Sequence, residues 1–103
     1  SAEAAAIVAG HLREGGHWAR GAAEEALWHF PPAQTTALLR GLLGRREFVL
    51  EHPEVASRLI DRATQAGTTG LQRELGSLAP LRFRFWNPVL VRVALKARAL
   101  SAR

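Results

Sequence analysis

The sequence predicts an all-α fold, a compact bundle of about six helices, and three observations carry that expectation. Alanine (19) and leucine (15) supply a third of the 103 residues and tyrosine is absent, a bias toward helix over strand. Apolar residues recur at three- and four-residue spacing through most of the chain. Glycine and proline fall between these periodic stretches, where they stop one helix and open the next. The length suits one domain rather than two, so residues 1–103 are expected to form a single helical domain, cut from a longer protein. Successive helical pairs would also suit a fragment of an α-solenoid, although no internal repeat at a solenoid period is present.

A first helix is expected over residues 2–14, with Ala4, Ile7, Val8 and Leu12 on one face and Gly15-Gly16 as its stop. A second covers 17–29, with Trp18, Ala22, Ala26 or Leu27, and Phe30 on its buried side. Trp18 and Trp28 are ten residues apart, nearly three turns, so both are expected in one core. Pro31-Pro32 ends this helix and opens a third over 32–43, carrying Leu38, Leu39, Leu42 and Leu43 and stopping at Gly44. After a short apolar segment at 46–51, Pro53 occupies a first-turn position and a helix follows over 53–66. Val55, Leu59, Ala63 and Ala66 repeat on one of its faces, and Gly67 fits the residue after its last turn.

Thr69 and Gln72 have capping-box spacing, which starts a helix over 70–79 containing Leu71, Leu75 and Leu78. Leu81-Arg82-Phe83-Arg84-Phe85 then alternates with period two, so a short extended segment is expected near 81–86. Asn87-Pro88 is the clearest start signal in the chain, a capping side chain followed by a first-turn proline. It opens a last helix over 88–101 with Val89, Val93, Ala97 and Leu100 on its apolar stripe.

Charge is distributed unevenly. Residues 1–30 carry a net −2, residues 31–79 a net +1, and residues 80–103 a net +6 with no acidic residue. Of 14 cationic side chains, 13 are arginine, Lys96 being the exception. Such a basic end suits a phosphate, an anionic lipid or an acidic partner, and equally a solvated helix face with the arginine usage of a GC-rich genome. With no cysteine, disulfides, thiolate metal sites and cysteine nucleophiles are excluded. No stretch approaches the roughly 18 apolar residues of a membrane span, and the alanine-rich start lacks the positive region of a signal peptide. The expected setting is cytoplasmic.

Motifs for catalysis are few. No glycine-rich phosphate loop occurs, and no serine stands in a nucleophile-elbow context. His11, His17, His29 and His52 form no pair one helical turn apart, so neither metal nor cofactor is expected. Arg46 and His52, with five residues between them, match the spacing of HEPN ribonucleases, in which histidine serves as acid or base and arginine stabilises phosphorane charge. That match keeps an RNA-cleaving alternative open. Phe83, Phe85 and Trp86 interleaved with Arg82 and Arg84 allow two readings. The arginine–aromatic alternation can stack bases and hold phosphates; in the favoured reading Phe83 and Phe85 point inward and Trp86 anchors the last helix.

Ala37-Leu38-Leu39-Arg40-Gly41-Leu42-Leu43 and the stretch from Val55 to Leu78 resemble the helix cadence of the death-fold superfamily, most closely its CARD domains. Leu59-Ile60-Asp61, Gly67, Gly70-Leu71 and Leu75 take the comparable positions over about 40 residues. Leu71 and Leu75 stand where aromatics are usual, two N-terminal helices replace one kinked helix, and the arginine-rich 82–86 segment lies outside the pattern. The resemblance implies homotypic assembly through complementary charged faces that recruits or activates an effector. Acidic Glu14, Glu24 and Glu25 and basic Arg82, Arg84, Arg92, Lys96 and Arg98 are the candidate interaction residues. The function expected is therefore non-enzymatic protein–protein association, with a nucleic-acid-binding domain as the alternative.

Overall fold

A computed structural model describes Ser1–Arg103. Seven α-helices and two 3-10 turns follow one another without a strand. They are α1 (Ala2–Glu14), α2 (His17–Ala26), a first 3-10 turn (Leu27–His29), α3 (Pro32–Leu43), α4 (Arg46–Glu51), α5 (Pro53–Gln65), α6 (Gln72–Ser77), a second 3-10 turn (Ala79–Phe83) and α7 (Pro88–Ser101). The radius of gyration, 12.8 Å, is that of one compact domain of about 100 residues. The short apolar segment at 46–51 is itself a helix, which raises the count from six to seven.

Local chemistry explains most boundaries. The Asn87 side chain accepts hydrogen bonds from the Val89 and Leu90 amides at 3.2 and 3.4 Å, and Pro88 occupies the first helical position of α7. Gly67 adopts φ +67° after α5, while the Thr68 amide reaches back to the Ala63 carbonyl at 2.9 Å. This six-to-one bond is a Schellman closure, and it requires the left-handed conformation that glycine adopts without strain. Between α2 and α3, the Thr35 hydroxyl donates to the Leu27 carbonyl at 2.9 Å from a buried position. That bond holds the first 3-10 turn against the start of α3.

Three arginines satisfy carbonyls that lie outside their own helices. Arg20 donates to the Leu12 and Gly15 carbonyls at 3.3 and 2.8 Å, covering the end of α1. Arg40 donates to the Gly70 carbonyl at 2.9 Å and pins the loop before α6. Arg103 donates to the Thr64 carbonyl at 3.1 Å, tying the C-terminus to the last turn of α5. Helix ends leave carbonyls without intrahelical partners, and a guanidinium fork reaches them from a distance.

The core is one aliphatic cluster. Leu12, Leu27, Leu39, Leu42, Leu43, Val49, Leu59, Ile60, Leu71, Leu81 and Val93 are fully buried within it. At its centre α5 runs against α7, which also packs on α6 and the second 3-10 turn, while α1, α2, α3 and α4 close the other side. Ala56 and Ala63 of α5 and Ala94 and Ala97 of α7 are buried, and such small side chains let two helix backbones come close. Phe48 is the one buried aromatic, with Trp28 and Phe30 half-buried at the edge of the cluster.

The structure corrects several expectations. Residues 79–83 form a 3-10 turn, not an extended segment. Pro80 opens that turn, and with about three residues per turn only Leu81 is buried, so period-two alternation never develops. Phe83 and Phe85 consequently face solvent, 63% and 80% exposed. Trp18 also lies outside the core at 87% exposure, since the start of α2 projects beyond the aliphatic cluster. Ile7 likewise remains exposed on α1. The capping box at Thr69 does not form: α6 begins at Gln72, with Leu71 before it and no side-chain cap. Replacing Gly67 with alanine should lower unfolding stability by about 1 kcal/mol, because alanine must take the left-handed conformation. Urea unfolding followed by far-UV circular dichroism measures this.

Candidate functional site

The largest concavity, about 860 Å³, is an open cleft between α2, the α4–α5 junction and the start of α7. His17, Trp18 and Arg20 form one wall, and His52, Arg58 and Asn87 stand among the residues opposite. Across it Arg58 meets Glu24 in a two-pronged ion pair, with Nε–Oε2 at 2.8 Å and Nη2–Oε1 at 3.0 Å. The hydrogen bond to Glu24 raises the Arg58 pKa above its ordinary value; partial burial opposes the rise, and the charges of Glu24 and Glu54 add to it. A raised pKa keeps the guanidinium charged throughout the working range, so the cationic half of the pair is lost only in strong alkali. One turn further along α5, Arg62 lies 3.6 Å from Glu25 and its Cζ sits 5.1 Å from the Trp28 ring centroid. The Glu24–Arg58 pair spans the cleft, and with Arg62–Glu25 beside it ties α2 to α5. No group of three metal-ligating side chains forms in the protein.

Of the acidic candidates, Glu24 and Glu25 are committed to these contacts, Glu25 also approaching His29 at 3.7 Å. Glu14 alone stays exposed and unpaired, at the end of α1. Among the basic candidates, Lys96 is internal: its ammonium donates to the Asp61 carboxylate and to the Ser57 hydroxyl, each at 2.8 Å, bridging α7 to α5. Ser57 is buried, so this donor satisfies a group that water does not reach. Arg92 and Arg98 are exposed and make no hydrogen bond or ion pair within the fold. Leu95, 57% exposed, lies between them on the outward side of α7.

Arg82 and Arg84 sit in a separate cluster. The Arg82 Cζ lies 4.4 Å from the Phe83 ring centroid and the Arg84 Cζ 5.9 Å from that of Trp86. Phe85 meets Trp86 edge-on, with centroids 5.3 Å apart and planes at 78°. Arg46 begins α4, exposed, whereas His52 follows the same helix as part of the cleft wall. Arg46 does not line the cleft. Nothing local in the sequence marks the Glu24–Arg58 pair, whose members are 34 residues apart.

Lys96→Ala should cost about 1–2 kcal/mol by leaving the Ser57 hydroxyl buried without a partner. Arg92→Ala and Arg98→Ala should each stay within about 0.5 kcal/mol of the parent. Chemical denaturation of the three variants separates the internal cation from the free ones. Comparison with family models, with curated proteins and with solved structures finds no match to this chain.

Proposed function

We propose that the chain is a non-enzymatic interaction module that associates with a second copy of itself through the outward stripe of α7. The observation that carries this reading is the grouping of Arg92, Leu95 and Arg98. Two arginines without internal partners flank an exposed leucine. Spaced three residues apart, the three side chains span about 120° of the helix surface. An apolar contact bordered by unpaired charges suits docking, because the leucine supplies burial while the arginines steer and orient an acidic surface. Glu14, free at the far end of α1, is the acidic candidate left for the facing copy. Contact between two different faces propagates from head to tail and builds open assemblies. The CARD-like cadence over residues 37–78 points the same way, since that resemblance implies homotypic assembly.

Size exclusion with light scattering, over a range of concentrations and at low and high salt, tests this proposal. Oligomers that dissociate as salt rises are expected for the parent, and a monomer under all conditions for R92E/R98E. Lys96 is left intact because its charge belongs to the fold. A parent that is monomeric throughout, or a double variant that associates as the parent does, overturns the reading.

A further inference from the structure

The residues at the α6–α7 corner, from Arg82 to Trp86, do not take part in that assembly stripe. Phe83, Phe85 and Trp86 are 63%, 80% and 67% exposed, in a domain whose core holds one buried aromatic. Large aromatics belong among the buried or half-buried residues of a fold, so three adjacent exposed rings mark a surface with a use. The segment is also firmly held. Leu81 is buried beneath it, the Arg84 amide bonds to the Leu81 carbonyl at 3.0 Å, and the Asn87 amide bonds to the Arg84 carbonyl at 2.9 Å. Two successive turns therefore present the rings in advance of any contact.

We infer that this corner is a docking site for an anionic lipid surface, with Phe83, Phe85 and Trp86 entering the headgroup–acyl boundary and Arg82 and Arg84 meeting lipid phosphates. Charge complementarity supports a negatively charged partner, since residues 80–103 contain six cations and no acid and only Lys96 among them is neutralised by an internal carboxylate. Tryptophan favours the membrane–water interface, phenylalanine adds apolar burial there, and basic residues beside them are drawn to anionic headgroups. The Arg82 and Arg84 guanidinium groups already lie beside the rings they neighbour, so charge and ring reach the interface together, and the flexible stems let the heads stay at phosphate level. None of the larger concavities includes a residue of this segment. A projecting apolar corner suits a fluid surface that needs no matching socket.

Single-stranded nucleic acid fits this geometry less well. Bases stack on free ring faces, but guanidinium groups lie over Phe83 and Trp86, and the 78° angle between Phe85 and Trp86 prevents consecutive bases from stacking on both. Asn87, the amide side chain that follows the segment, has its Oδ1 engaged in capping α7.

Flotation of the full chain with phosphatidylcholine vesicles, with and without phosphatidylglycerol as half of the lipid, tests the site. The protein should float with the anionic vesicles and not with the neutral ones. F85S/W86S should weaken this binding by about tenfold or more, and R82Q/R84Q should weaken it and flatten its salt dependence. Arg82, Phe85 and Trp86 are exposed and Arg84 is half-buried, and unchanged far-UV circular dichroism shows that the variants remain folded. Failure of the parent to float with anionic vesicles at low salt overturns the inference, as does binding unaffected by F85S/W86S. Binding to a single-stranded oligouridine that is lost in F85S/W86S, without vesicle binding, assigns the corner to nucleic acid instead. The light-scattering result for R92E/R98E stands apart from these outcomes, because the assembly stripe and the corner use different side chains.

Discussion

The close contact between α5 and α7 is the constraint on which the rest of the structure depends. Ala56 and Ala63 of α5 and Ala94 and Ala97 of α7 are all buried, and the two helices pack against each other. Larger residues at these positions would strain a densely packed interior. Lys96 closes the edge of the same contact through Asp61 and Ser57. With α7 fixed in this way, its opposite side is committed to solvent, and the corner that leads into it is held at a defined place on the surface. The proposed assembly stripe and the proposed lipid corner are both consequences of which side of α7 the alanines occupy.

Arginine serves two purposes in this molecule. Arg20, Arg40 and Arg103 reach carbonyls at helix ends and in a loop, and Arg58 and Arg62 join α5 to α2. These are structural uses that exploit several donors on one planar group. Arg92 and Arg98, by contrast, take no part in the fold, and Arg82 and Arg84 engage chiefly the exposed aromatic rings beside them. Net charge alone does not separate the two populations. A count by region locates the positive end, but internal partners decide which charges remain available to another molecule.

Helix existence was legible in the sequence wherever periodicity and punctuation agreed. Pro32, Pro53 and Asn87-Pro88 mark starts that the structure reproduces, and Gly67 closes α5 as its position suggests. The candidate surfaces were legible only in part. Alternation from Leu81 to Phe85 imitates a strand, yet Pro80 and the single buried anchor Leu81 favour a tight turn that sends both phenylalanines outward. Trp18 sits at a helical spacing from Trp28 that allows a shared core, but spacing says nothing of how far a helix end extends past its neighbours. The Glu24–Arg58 and Lys96–Asp61 pairs bring together residues more than 30 positions apart, and only the tertiary arrangement reveals that those charges are spent internally.

The aliphatic character of the core has a practical consequence for spectroscopy. Trp18 and Trp86 already stand in water in the native state, and Trp28 lies half-buried at the margin. Intrinsic fluorescence should therefore change little when the leucine interior comes apart, because two of its three reporters have little shelter to lose. The emission of this protein is instead a record of what touches its surface.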